Sequence, residues 1–589
     1  MPLLQRLRTR KHFEHIALTP GAASALKSQP ADLLVAPAAD LFRQYWSKET
    51  IICIVGALGA STRLIAPFLT GKDLDPAVLV LDAKAKHVVP LIGGHASGGE
   101  ALAFEIAADI GADPVITNDS NSQERLAIDS FGEAWGWRRG GKTIAWNKLM
   151  HLLSQGRQLD FEQHSGTTEW QLAKAASNGC FLSSRSSSSA CDFYIGPFRG
   201  VECCWHPPNI WIGIGCERNT SLSIVKRALG ISLDTVGIAI EAIAGLASVE
   251  IKADEACILS MAASLGCPIR LFTNQELSKV NVPNPSVQVA NAIGISSVAE
   301  SAALLAAGHL GKLLFEKRVF SAQDDEVGAV TIAIAESAEA FAPNRGELHL
   351  VGSGPGDLSF LTYDSRRALS RSVVWIGYGL YLDLLEPLRR PDQVRIESQI
   401  TQERDRCIYA LKLARQGIRV ALISSGDSGI YGMAGLALEL WLEQKVSQRP
   451  VFQVHPGISA LQLAAARVGA PLMHDFCTVS LSDRLTPWEK IEARVRSAAE
   501  GDFVIAIYNP RSKDRLWQLN RVFDLLLEFR SPNTPALLAR NLGREGEKVH
   551  LYTLDSLPVE EVDMLSLVII GNSESRQENG QMITPRGYK

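Results

Sequence analysis

Four times along this chain a short apolar run ends in glycines and hands over to a helical stretch. IICIVGALGA from Ile51, NIWIGIGCERNTS from Asn209, HLVGSGPGDLSFLT from His349 and LISSGDSGIYGMAG from Leu422 all read this way. A run without polar alternation belongs to a strand covered on both faces, and parallel strands need crossover helices between them. The pattern predicts a multidomain α/β fold. At roughly 150 residues per domain, 589 residues suggest about four units. The expected organisation is an uncertain segment 1–50, an α/β unit over 51–130, a less regular middle region 131–208, a second α/β unit over 209–342 and a C-terminal unit over 347–589. APNRGE, Ala342 to Glu347, reads as the linker before the last unit.

In the first unit, Ala77 to Asp82 and Val88 to His95 supply further strands, Gly98 to Gly111 a helix and Pro114 to Thr117 a closing strand, so a doubly wound sheet is expected. The middle region is rich in Trp, Gly and Ser, and Ser183 to Ser189 reads as a flexible loop. In the second α/β unit Thr220 and Ser221 can cap a helix.

Lys plus Arg is 59 and Asp plus Glu is 63, a balance of −4 that argues against a strongly basic nucleic-acid binder. No apolar run is long enough to span a membrane, and no apolar stretch follows the basic N-terminus, so neither a membrane anchor nor a secretory signal is expected. The 10 Cys are scattered without a C-x-x-C, which fits a reducing cytoplasm. Cys203, Cys204 and His206 read as buried groups near a turn, and no metal site is expected.

The glycine loop at Gly352, Gly354 and Gly356 does not have dinucleotide-fingerprint spacing: it runs G-x-G-x-G with Pro355 inside. Gly426 and Asp427 sit in a second small-residue loop after a strand, where Asp427 could accept from a ligand or the loop could be only a tight turn. Pro456 and Gly457 lead into a helix with Ser459 at its start, and IYNPRS, Ile507 to Ser512, follows a later strand.

Together these motifs resemble the tetrapyrrole methylase superfamily, over about Glu347 to Asn572. SLSDRLTPW from Ser480, IYNPRS from Ile507 and ARNLGREGE from Ala539 are similar to precorrin-3B C(17)-methyltransferase. The resemblance implies two α/β subdomains, S-adenosyl-L-methionine as cofactor in the cleft between them, a tetrapyrrole acceptor, and a homodimer formed through this domain. It implies that Gly354, Pro355 and Gly356 line the cleft, and that Ser425, Gly426, Asp427, Ile430, Ser459, Ala460, Asn509 and Gly543 contact the cofactor. Asp357, Asp427 and Asp483 are acid–base candidates by type; Asp357 could equally be a turn-stabilising cap.

The N-terminal half is similar to the cobalt-precorrin-5A hydrolase family, through GALGASTRLIAP, VVPLIGGHASGG, IGIGCERNTS, LASVEIKADE and NPSVQVANAIGISSVAESAALLAAG. That family opens a lactone and releases acetaldehyde. Lactone hydrolysis needs a base and an oxyanion site, and His95, Lys252, Glu255 and Glu300 are the candidates. His95 could equally be a loop residue without catalytic work, and the acidic groups could be solvated surface charges. Glu100 departs from the family's usual Asn. The expectation is a bifunctional corrin-biosynthesis enzyme in the cytoplasm. Its alternatives are a methyltransferase fused to a non-catalytic tetrapyrrole-binding module, and a methylase acting on RNA or protein.

Overall fold

The glycine-ended apolar runs do become strands. In the computed structural model the described residues are 13, 15–24, 33–71, 74–94, 98–117, 125–178, 181–183, 191–287, 294–399 and 402–587. His95 and most of the Ser183 to Ser189 run lie outside them.

The first sheet joins β1 (Ile51–Val55), β2 (Ala77–Leu81), β3 (His87–Ile92) and β4 (Asp113–Pro114) in that order. Helix α1 (Leu58–Ile65) follows β1, and α2 (Gly99–Ile110) packs on the sheet. The pairing is mixed, not doubly wound: β2 and β3 run antiparallel, because the short turn at Asp82 to Lys86 leaves no room for a crossover. The closing strand shrinks to two residues.

The middle region is a folded unit, in contrast to its irregular sequence. Strands β5 (Arg138–Gly141), β6 (Leu159–Gln163), β7 (Phe181–Ser183), β8 (Phe193–Ile195) and β9 (Cys203–His206) form one sheet in the order β5-β9-β8-β6-β7. Its core is aromatic. Trp146, Trp170 and Trp205 are fully buried, and each indole N–H finds an acceptor: Gly140 O at 2.8 Å, Gln163 Oε1 at 3.0 Å and Ile128 O at 2.8 Å respectively. Cys203, Cys204 and His206 are buried as expected, but inside strand β9.

The third unit has the order β12-β11-β10-β14-β13, with β10 (Ile210–Cys216), β11 (Ile243–Val249), β12 (Ile269–Phe272), β13 (Lys312–Ser321) and β14 (Ala329–Glu336). Helices α3 (Leu222–Val236) and α4 (Ala256–Leu265) cover one face, and the alanine-rich α5 (Ala299–Ala307) the other. Ser221 takes the N-cap position of α3, but its hydroxyl accepts from Val327 N–H at 3.1 Å instead of capping.

The C-terminal unit has two sheets. The first is all parallel, in the order β17-β16-β18-β15-β19: β15 (Glu347–Gly352), β16 (Val374–Gly377), β17 (Val394–Glu397), β18 (Arg419–Ser424) and β19 (Val451–His455). It carries α6 (Tyr363–Arg371), α7 (Glu403–Arg415) and α8 (Ala434–Leu442). The second sheet is mixed, in the order β20-β21-β24-β22-β23, with β20 (Phe476–Ser480), β21 (Val504–Tyr508), β22 (Pro535–Arg540), β23 (Lys548–Thr553) and β24 (Ser566–Ile570). Helix α9 (Ala460–Val468) leads into it from the first. No helix among the described residues is long and apolar enough to cross a membrane.

Candidate active sites

Adjacent parallel strands bring their carboxyl-end loops together, which is where open α/β sheets take ligands. In the C-terminal unit β15 and β18 are direct neighbours, so the Gly352 to Gly356 and Ser425 to Ile430 loops meet. Gly354 and Gly426 exchange backbone hydrogen bonds, at 3.1 and 2.8 Å. Gly354 turns there with φ +73°, a conformation that side-chain-bearing residues seldom adopt.

Asp427 has two backbone partners. Its Oδ1 accepts from Gly429 N–H at 2.8 Å, and its Oδ2 from Gly457 N–H at 3.0 Å. The carboxylate therefore ties the second loop to the Pro456–Gly457 loop. Ser459 is committed too: with Gln462 it forms a capping box at the start of α9, which Ala460 opens. Asp357 accepts from Ser359 N–H at 2.7 Å, and these hydrogen bonds lower its carboxyl below the usual range, so the turn-cap reading holds for its geometry.

From the second sheet, Asn509 takes a left-handed φ of 49° and donates from Nδ2 to Ser480 Oγ at 3.0 Å. Asp483 accepts from Gln518 Nε2 at 3.0 Å, away from Asp357 in the bonding pattern. Gly543 approaches Gly356. Beside it Arg544, which sequence reasoning passed over, donates from Nε to Pro355 O at 3.0 Å and from Nη2 to Ser425 Oγ at 3.2 Å. It thus joins the first and second glycine loops from the opposite subdomain. Burial depresses its guanidinium below the ordinary value, and Tyr381 partly offsets this. The only hint in the sequence was a lone Arg after a glycine. A cavity of about 630 Å³ opens against this junction, lined among others by Gly356, Phe360, Arg467, Gly543 and Arg544. Ile430 and Tyr431 are exposed on the second loop, and the rings of Tyr431 and Tyr508 lie 5.1 Å apart.

The third unit gathers a second set of groups at the carboxyl ends of β10 and β11. Glu255 is buried. Its Oε1 accepts from Asn219 N–H at 3.0 Å, and Lys252 donates to Oε2 at 3.3 Å. Arg218 bridges to Asp254 at 2.5 Å. Glu300 is fully buried in the first turn of α5, where it accepts from Asn284 Nδ2 at 2.9 Å and Lys317 N–H at 3.0 Å. It locks the 284 segment to β13. Lys252 and Glu255 are therefore brought together, whereas Glu300 is held by its own partners. His95 lies outside the described residues.

Residues 347–558 match the family described as Tetrapyrrole (Corrin/Porphyrin) Methylases. Over 241 residues the chain is 47% identical to the probable cobalt-factor III C(17)-methyltransferase of Salmonella typhimurium, covering 41% of this chain and 99% of that protein. The chain belongs to the tetrapyrrole methylase family. It is also 41% identical to the precorrin-3B C(17)-methyltransferase of a Sinorhizobium species, over 41% of this chain and 97% of the relative. A crystal structure of the methyltransferase CobJ aligns at 35% identity over 41% of this chain and all of that one, with a TM-score of 0.39. Ahead of the methylase, residues 40–121 match the family described as Cobalamin synthesis G N-terminal, and residues 210–335 match Cobalamin synthesis G C-terminus. The chain is thus a tetrapyrrole methylase fused to both cobalamin synthesis G modules.

Proposed function

We propose that the chain is a bifunctional enzyme of corrin biosynthesis. Its C-terminal unit methylates carbon 17 of precorrin-3B or cobalt-precorrin-3 with contraction of the ring. Its N-terminal modules open the lactone of cobalt-precorrin-5A and release acetaldehyde. The observation that carries the first part is the junction of glycine loops at Gly354 and Gly426, held by Asp427 and Arg544 beside an open cavity.

The cofactor of this family is S-adenosyl-L-methionine, and the junction fits it. Two strand-end loops meet backbone to backbone there with no bulky side chain between them, and exposed Ile430 and Tyr431 offer apolar surface. The backbone of Gly354 to Gly356 and Ser425 to Gly426, with Ile430, Ala460 and Asn509, would hold it. When bound it supplies an activated methyl group on a sulfonium. The protein's own work is to position an electron-rich carbon in line and to exclude water. Asp427 and Ser459 serve by fixing the loops.

In the N-terminal half, Lys252 places a cation where a developing oxyanion could be met, beside Glu255. Glu300 acts as a positioning residue. The enzyme is proposed to work in the cytoplasm as a homodimer through the methylase. Supporting that, Val451 and Val454 are exposed on β19, an edge strand.

The test is incubation of the whole chain with S-adenosyl-L-methionine and the metal-free or cobalt-loaded trimethylated precursor, followed by mass analysis. A product heavier by one methyl group is expected. Supplying cobalt-precorrin-5A should yield acetaldehyde. Methyl transfer to RNA and not to either tetrapyrrole would refute the methylase assignment; tetrapyrrole binding without acetaldehyde would reduce the N-terminal half to a carrier.

A further inference from the structure

Cys216 ends strand β10, Glu255 takes the N-cap position of α4, and Cys257 lies in that helix's first turn. The fold brings them together: the two sulfurs and a carboxylate oxygen lie within 4.8 Å of one another. Glu255 and Cys257 are buried, and Cys216 is half-buried. Among the described residues this is the one cluster of three such groups at metal-holding distance.

Several features distinguish it from a chance contact. The carboxylate is oriented from behind, by Asn219 N–H on one oxygen and Lys252 on the other. Such outer contacts are what hold a metal-ligating carboxylate in place; Oε2 also meets Arg218 at 3.5 Å, and Oε1, with one partner, keeps a further lone pair. Both cysteines are free thiols. A tetrahedral ion with metal–sulfur bonds of about 2.3 Å sets its ligands about 3.8 Å apart, so closing on an ion asks for side-chain shifts of about an ångström. The charges also balance. Two thiolates, Glu255 and Asp254 would carry four negative charges, and Lys252, Arg218 and a divalent ion four positive ones. Helix α4 presents its N-terminus to the same spot, which favours the anionic ligands.

We propose that Cys216, Cys257 and Glu255 form a binding site for one thiophilic divalent cation of the zinc class. Sulfur ligands select such ions over magnesium or calcium. Three protein ligands leave a fourth position open, the arrangement of a reactive rather than a purely structural ion. Of the three ligands Cys216 is the most exposed. The binding claim does not depend on lactone hydrolysis, since it is read without substrate.

The full-length protein, reduced with a phosphine and stripped with a chelator, is titrated with Zn²⁺ and separately with Co²⁺. One equivalent should bind, and Co²⁺ should produce an intense thiolate-to-cobalt charge-transfer band. That band should disappear in Cys216→Ser and in Cys257→Ser and persist in Cys477→Ser, a half-buried cysteine of the methylase unit. Should a variant fail to fold, the wild-type protein still decides: bound Zn²⁺ should slow alkylation of Cys216 and Cys257, located by peptide mass analysis, and leave the other cysteines unaffected. No uptake after reduction, a band indifferent to both serine variants, or alkylation of the pair unchanged by Zn²⁺ would overturn the site. Failure to take up Zn²⁺ or Co²⁺ in a preparation that still releases acetaldehyde would sink this inference and leave the hydrolase reading standing.

Discussion

At the scale of single residues, two positions carry tests of opposite kind. A Cβ built on Gly457 would lie 2.0 Å from Gly426 O and 2.8 Å from the Gly352 backbone, so Gly457→Ala must push two loops apart. Overpacking of this sort costs about 1–3 kcal/mol, and here the displaced atoms are the loop backbone itself. The variant should melt lower and lose methyl transfer. Gly435, inside α8, meets nothing within 4 Å, and Gly435→Ala should leave activity intact and raise stability by about 0.5–1 kcal/mol. Calorimetric melts of both variants check the pair. A third position, Glu347, carries an electrostatic test. Glu347 accepts from His349 at 2.8 Å and from Arg371 at 2.9 Å; His349 meets His455 at 2.9 Å, and His455 meets Asp364 at 2.7 Å. Burial works to raise the Glu347 carboxyl, but the His349 hydrogen bond and the Arg371 charge outweigh it and bring it from an ordinary 4.5 to about 2. A carboxyl depressed in the fold takes up its proton more readily when unfolded. Its stabilisation is therefore whole above about pH 4.5 and fades as pH falls toward about 2. Between pH 7 and pH 3 the wild type should lose on the order of 2 kcal/mol more than Glu347→Gln in urea unfolding. None of this was legible from residue type. Asp427 reads two ways, because a small polar residue after a strand can bind a ligand or tie a loop, and Ser459 is marked as a contact by the family resemblance alone. The loop-tying bonds, to Gly457 and to Gln462, show only in the fold.

At the scale of elements, what was readable followed hydrophobic pattern. Strands β15 and β18 fall where the glycine-ended runs from His349 and Leu422 predict, and β16 is fully buried. Strand β17, with Arg395 and Glu397, is an edge strand half open to water and carries no such run. The middle unit was missed for a related reason: its strands are three to five residues long, and most of its core tryptophans come from turns and helices, with Trp205 alone on a strand. The metal-ligand cluster was invisible because Cys216 and Cys257 sit on different elements, and only the parallel pairing of β10 with β11 brings their ends together. The same logic makes the loop ties testable. Asp427 holds Gly429 and Gly457 with separate oxygens, and Asn has only one acceptor oxygen to offer. Asp427→Asn must turn an amide N–H₂ toward one of those backbone N–H groups. An unmet bond of this kind costs about 1–3 kcal/mol, so affinity for S-adenosylhomocysteine should fall roughly tenfold to a hundredfold by titration calorimetry if the loops close the pocket. Arg544→Lys should lose affinity in the same way, since an ammonium cannot span Pro355 O and Ser425 Oγ as the guanidinium fork does.

At the scale of the whole molecule, the middle unit is the hub. One buried cluster runs from Trp135, Trp146 and Trp205 through to Leu411, Ala414 and Leu422 of the methylase, and the Tyr409 hydroxyl meets Glu169 across the same boundary. Ala175 N–H donates to Pro391 O at 2.8 Å, and Arg345, in the stretch expected to be a linker, donates to Gly136 O at 3.0 Å. The first unit docks separately: α2 packs on α6, and Arg371 reaches from the methylase to Glu105 at 3.1 Å. On its other side the middle unit meets the third through Arg138 to Leu265 O at 3.2 Å and Arg199 to Asp234 at 2.6 Å. Pro, Asn and Gly in a polar stretch signalled a boundary, and a boundary in sequence is there, but its backbone is packed rather than free. Ala340, Phe341 and Ala342 are buried, and the Arg270 guanidinium lies 4.1 Å from the ring centres of both Phe341 and Trp211. A shared apolar core makes the two units one cooperative body, because separating them exposes surface at about 25 cal/mol per Å². The methylase of this chain should therefore depend on its middle unit in a way its freestanding relatives do not. Fragment 347–589 should melt below the methylase transition of the full chain and aggregate, whereas fragment 125–589 should recover both the transition and methyl transfer. An isolated 347–589 that melted at the same temperature as the full chain would show the shared core to be two cores merely in contact.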